Sequence, residues 1–165
     1  MKMAAVFFCY KELNEIDFQA FHYSKRQLKE SFDFFCVATK PVKNYACNKL
    51  GFSQQELIVN SSALKSLDHY TRYMKTAELY KRFESYTHIL IWQDDAIILN
   101  SEVLKSADTT YSFVGASITK KFFSSDYKYV GNGGLSLRKP SDHLRALSKK
   151  INLKEPKWFT RVSLK

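Results

Sequence analysis

Two kinds of apolar pattern alternate along this chain. Short unbroken runs lie at Ala4–Tyr10, Phe34–Ala38, Glu56–Val59, His88–Trp92 and Tyr111–Gly115, and Leu135–Arg138 follows a glycine-rich stretch. Runs of this length, rich in β-branched and aromatic residues, predict strands buried on both faces. Between them the apolar positions space out to helical steps. Asn14 is a capping residue for a helix from Glu15 to about Glu30, with Asp17 at its third position and Phe18, Phe21 and Leu28 as its apolar face. Asn60-Ser61-Ser62 opens a longer helix. In it Leu67, Tyr70, Tyr73, Met74, Ala77, Tyr80 and Glu84 fall at three- and four-residue steps, opposite Lys65, Asp68, Arg72, Lys75 and Arg82. Asn100 or Ser101 caps a short helix to about Ala107, and Ser141 to Lys150 forms the last one, carrying Leu144 and Leu147. Pro41 lacks a backbone donor and ends the second strand, and residues 42–56 read as irregular. Alternating strands and helices predict an α/β protein, a three-layer sandwich with a mainly parallel central sheet. Residues 1–150 form a single domain in this reading, and 151–165 a basic C-terminal tail.

Composition changes this picture little, but charge changes it more. With 45% apolar residues and only 5 Gly and 3 Pro, the chain carries enough apolar mass for a core and is not of disordered type. The net charge of +10 is unevenly placed: residues 1–119 carry +1 and residues 120–165 carry +9. A basic C-terminal third suits an anionic partner, whether nucleotide phosphates, a membrane surface met peripherally, or nucleic acid. Three cysteines, Cys9, Cys36 and Cys47, without a CxxC pair suggest neither a disulfide framework nor a zinc site, as expected in a reducing cytosol. No apolar run approaches the roughly 18 residues of a membrane span.

The candidate chemistry starts at Gln93-Asp94-Asp95. Two adjacent carboxylates at the carboxyl end of a buried strand lie where open α/β sheets bind ligands. They repel each other unless something neutralises them, and a hard divalent cation does so through oxygen ligands. By itself the pair reads equally well as a solvated turn or a helix cap. The second stretch is Gly131-Asn132-Gly133-Gly134 before Leu135-Ser136-Leu137-Arg138. It precedes a strand rather than a helix, so it is neither a dinucleotide fingerprint nor a P-loop. Glycines there let a ligand approach the backbone closely, or simply make a turn. Between the two lies a basic, aromatic loop at residues 117–129, with Lys120, Lys121, Phe122, Phe123, Tyr127, Lys128 and Tyr129, suited to ligand contact or to an ordinary surface lid.

Taken together, Gln93-Asp94-Asp95, Tyr111-Ser112-Phe113-Val114-Gly115-Ala116 and Gly131–Arg138 resemble a bacterial family of glycosyltransferases of the GT-A type. Its members carry an apolar strand ending in Q-x-D, then Y-D-Y-I-G-A-P-W, then G-N-G-G-L-S-L-R. The glycine motif matches throughout, and Q-x-D matches through Gln93 and Asp95. The middle motif matches in part: Ser112 replaces its acid, and Ser117 and Ile118 replace Pro-Trp. The resemblance spans residues 55–145. It implies a GT-A-like (nucleotide-diphospho-sugar transferase-like) fold, a UDP- or GDP-type nucleotide-sugar donor and a surface glycan acceptor. It also implies Mn²⁺ or Mg²⁺ on Asp95 with Asp94 as an accessory acid. Asn132, Gly133 and Gly134 would line the sugar or acceptor side, with Gln93, Gly131 and Arg138 completing the substrate-binding set. No residue is assigned as catalytic.

The family pattern also implies a later acidic segment, E-D followed by aromatics, to hold a general base. Residues 135–165 contain only Asp142 and Glu155, neither in that pattern, so the expectation includes a truncated, inactive remnant as the alternative within this class. From another class, a basic nucleic-acid-binding module fits the C-terminal charge. The absence of a helix-turn-helix, zinc or RNP signature argues against it. A metal-dependent phosphohydrolase would need further ligands, and His22, His69, His88 and His143 show no ligand spacing.

Overall fold

The computed structural model describes residues 2–105, 110–118 and 129–149. The chain runs β1 (Met3–Cys9), α1 (Glu15–Leu28), β2 (Phe32–Ala38), α2 (Lys43–Asn48), β3 (Leu57–Val59), α3 (Leu67–Tyr73), α4 (Ala77–Arg82), β4 (His88–Trp92), α5 (Glu102–Lys105), β5 (Phe113–Ile118), β6 (Tyr129–Arg138) and α6 (Pro140–Ser148). The strands form a six-stranded sheet in the order β3-β2-β1-β4-β6-β5. The block β3-β2-β1-β4 is parallel, whereas β6 runs antiparallel to both β4 and β5. The sheet is therefore mixed, with β6 alone reversed.

Helices cover both faces, which is why β1 and β4 are buried along their whole length. Phe7, Cys9, Leu90, Trp92 and Leu137 pack towards α1 and α2, with Phe21, Leu28, Ala46 and Leu50. Val6, Phe8, Ile89 and Ile91 pack towards α3, α4 and α6, with Tyr73, Leu79, Tyr80, Phe83 and Leu144. The alternation of neighbours along each strand sends successive side chains to opposite layers.

Local signals were accurate where they were local. Asn14 Oδ1 accepts from the Asp17 backbone N–H at 2.9 Å, and α1 begins at Glu15. Two expectations are corrected. Residues 42–56 are not wholly irregular: α2 forms there because Val42, Ala46 and Leu50 recur every four residues and all are buried. The helix expected from Asn60 to Glu84 is two short helices. Asn60 instead closes a turn, its Oδ1 accepting from the N–H of Ala63 at 3.0 Å, and Ser66 is the cap of α3. α3 ends because side chains satisfy its last carbonyls: Thr76 Oγ1 donates to Tyr73 O and the Tyr80 hydroxyl donates to Met74 O, both at 2.8 Å. The expected helix end near Ala107, most of the 117–129 loop and the 151–165 tail lie outside the described residues. Among the described residues no helix is long and apolar enough to cross a membrane.

His88 opens β4 and is only 2% exposed, and neither ring nitrogen has a hydrogen-bond partner among the described residues. Burial pushes its pKa below 6.5 and the Lys139 ammonium adds to this, while the nearby Tyr111 backbone and the Asp142 carboxylate oppose it. Burial also lowers His143, which stacks on Tyr80. Both groups bind protons less readily folded than unfolded. Stability is therefore full above the unfolded value near 6.5 and falls as pH drops below it. Urea midpoints taken at about pH 8 and about pH 5 should fall for the wild type and fall less for His88→Leu. An equal drop in both proteins would remove His88 from this account.

Candidate functional site

The connections β1→β2→β3 step away from β1 on one side, and β4 lies on its other side. The order of the sheet thus reverses between β1 and β4, and crevices for ligands open at the carboxyl ends of strands at such a point. The residues leaving β1 there are Tyr10 and Lys11; those leaving β4 are Gln93, Asp94 and Asp95. A cleft of about 550 Å³ lies between them. Its floor and walls come from Phe8 and Tyr70, from Asp17 in the first turn of α1, and from Leu64, Lys65, Ser66 and Leu67 in the turn before α3.

The acidic pair sits in a tight turn, with the Ala96 N–H donating to Gln93 O at 3.2 Å. Trp92 anchors this turn from below: its indole N–H donates to Ala96 O at 2.9 Å while its ring lies buried. The two carboxylates then differ. Asp94 is nearly covered, paired with Lys11 Nζ at 3.2 Å and accepting from the Tyr10 hydroxyl at 3.3 Å. That bond and charge hold the Lys11 pKa above its usual value, while burial and the same carboxylate push Tyr10 up. Asp95 is exposed, and no described side chain pairs with it. Tyr70, in edge-to-face contact with Phe8 at 5.2 Å, is pushed up to about 12 by burial, with Asp95 contributing and Arg138 opposing.

The glycine stretch lies inside β6 rather than in a loop before a strand. Leu135 pairs with Trp92, the last residue of β4, so the register carries Gly134 and Gly133 past the end of β4 towards the acidic turn. Against β5 the register slips: Gly115 pairs with Ser136, but the next residue, Ala116, pairs with Asn132. The slip puts residues 133–135 as extra length in β6 between those two pairs, an irregularity that glycines absorb. Gly131 lies in β6 between Val130 and Asn132, which pair with β5 residues.

Arg138, expected among the substrate-binding residues, does not line the cleft. Because β6 is antiparallel, the end of its motif pairs with Ile89, about 10 Å of strand from Trp92. There the guanidinium is buried, donating to Ser136 Oγ at 2.9 Å and to the Tyr80 hydroxyl at 2.8 Å, and lying over Phe113 at 5.3 Å. Conversely, Tyr10 and Lys11 belong to the cleft although no motif singles them out. The available signal was their place, a polar pair directly after a fully buried strand.

A divalent metal can be tested against this donor set. Among the described residues no group of three or more His, Cys, Asp or Glu is arranged to hold one. The third cleft carboxylate, Asp17, accepts from Asn14 Nδ2 at 2.8 Å. A Mg²⁺-type ion is often held by only one or two carboxylates and completes its shell with phosphate oxygens and water. Open Asp95 beside Asp94 fits that mode, and does not fit a cage built by the protein alone.

No curated protein matches this chain. A family described as proteins of unknown function matches residues 54–161, from β3 through the acidic turn and the glycine stretch. By that match, the chain belongs to the family DUF5672.

Proposed function

We propose that the cleft binds a nucleotide-sugar donor of UDP or GDP type and that the protein is a metal-dependent glycosyltransferase of GT-A type acting on a surface glycan. One observation carries this reading: at the switch point of the sheet, an open carboxylate, a paired carboxylate, a lysine and an exposed tyrosine converge on one cleft. Asp95, with Asp94 beside it, would hold Mn²⁺ or Mg²⁺, which supplies Lewis acidity at the diphosphate. Lys11 pairs with Asp94 and orients it, and with Lys65 gives the cleft cationic groups for phosphate oxygens. The Tyr10 ring, 45% exposed, offers a face on which a base can stack. Gly133 and Gly134, carried towards the turn by the β6 register, would lie on the sugar side. The free cysteines and the basic C-terminal residues suit work in the cytoplasm at the inner face of the membrane.

Calorimetric titration of UDP and of GDP, with and without Mn²⁺, tests this on the wild type and on Asp95→Ala. Expected is binding that requires Mn²⁺ and falls at least tenfold in the variant. Binding without donor hydrolysis would favour an inactive remnant. No nucleotide binding, together with salt-sensitive polynucleotide binding, would replace the reading with a basic nucleic-acid-binding module.

A further inference from the structure

Beside the cleft, on the other flank of the first turn of α1, lies a second groove of about 720 Å³. Asp17 faces the cleft, whereas its neighbours Ile16 and Phe18 face the groove, joined by Tyr23 and by Ile97, two residues beyond Asp95. Ile16 is 77% exposed and Ile97 is 49% exposed, aliphatic surface that water covers at a cost. Among the described residues one charged side chain lines this groove, Arg26. Its guanidinium lies 5.9 Å from the Tyr23 ring, and no described carboxylate pairs with it. On the same wall, His22 Nε2 is buried without a hydrogen-bond partner among the described residues.

We infer that this groove binds an apolar-tailed anion, an alkyl or prenyl chain ending in a phosphate. The aliphatic wall takes the chain, and Arg26 takes the head in a charge-assisted pair. A single cation among the groove's described residues argues for one such molecule rather than a bilayer surface, which is held by clusters of Lys and Arg. This binding stands apart from the transferase reading above.

Dodecyl phosphate, kept below its micelle concentration, is the probe, with inorganic phosphate and dodecanol as head-only and tail-only controls. The wild type should bind dodecyl phosphate at least tenfold more tightly than either control. Arg26→Gln and Ile16→Asp, both at the surface, should each weaken it at least tenfold while thermal unfolding and nucleotide titration stay as in the wild type. Equal binding by wild type and variants would overturn the inference, as would binding only to anionic vesicles. Dodecyl phosphate binding in a protein that takes no nucleotide would uphold the groove and remove the transferase reading alone.

Discussion

Trp92→Ala is expected to destabilise the protein by about 3–5 kcal/mol, which for a chain of this size lowers the melting temperature by roughly 6–20 °C. The ring is 1% exposed, stacked on Phe21 at 5.1 Å with an interplanar angle of 6°, and edge-on to Phe7 at 5.0 Å. Truncation leaves a void walled by two aromatic rings that cannot collapse into it. Trp92→Phe separates packing from hydrogen bonding. It keeps an aromatic ring but removes the indole N–H that holds Ala96 O, the far end of the Asp94–Asp95 turn. The stability loss should then be only about 1–2 kcal/mol. Nucleotide affinity should fall more than that loss suggests, because the turn carrying Asp95 is freed from its anchor. Calorimetry of unfolding and of nucleotide binding on both variants checks this. Affinity tracking stability in Trp92→Phe would mean that the turn is held by other contacts.

Tyr80→Phe is the second large effect, expected at about 2–4 kcal/mol although it removes one oxygen. The hydroxyl donates to Met74 O at 2.8 Å and accepts from Arg138 Nη1 at 2.8 Å. Its loss strips a buried guanidinium of an acceptor and leaves the carbonyl at the end of α3 without that donor. A hydrogen bond to a buried charge is worth more than a neutral one, so a buried guanidinium that loses one of its acceptors costs more than a neutral donor would. Arg138→Met added to Tyr80→Phe should therefore recover part of the loss, since the charge is then gone as well. Chemical denaturation of the two single variants and the double variant measures this. A double variant no more stable than Tyr80→Phe would show that the guanidinium does not depend on Tyr80. The same contacts explain why the last residue of the glycine motif serves the packing of α4 on β6 rather than the cleft.

What could be read from the chain alone was whatever depends on neighbours in sequence. Unbroken apolar runs marked β1 and β4 because a strand covered on both faces needs no polar alternation. The Asn14 cap was legible because its bond closes over three residues. Gln93-Asp94-Asp95 was legible as a strand end, and the turn it forms is equally local. The four-residue recurrence of Val42, Ala46 and Leu50 was present too, but polar neighbours hid it. Strand pairing decided the rest. The reversal of β6 placed Gly133 and Gly134 near the acidic turn and drew Arg138 to the opposite end, although all three stand within six residues. The long helix broke because Tyr80 reached back to Met74, a bond set by where β6 and Arg138 hold that hydroxyl. Tyr10 and Lys11 met Asp94 across 84 and 83 positions of chain only because β1 and β4 lie side by side. Periodicity reports which side of an element is buried; only the order of strands in the sheet reports which elements' ends meet, and the cleft is made where they do.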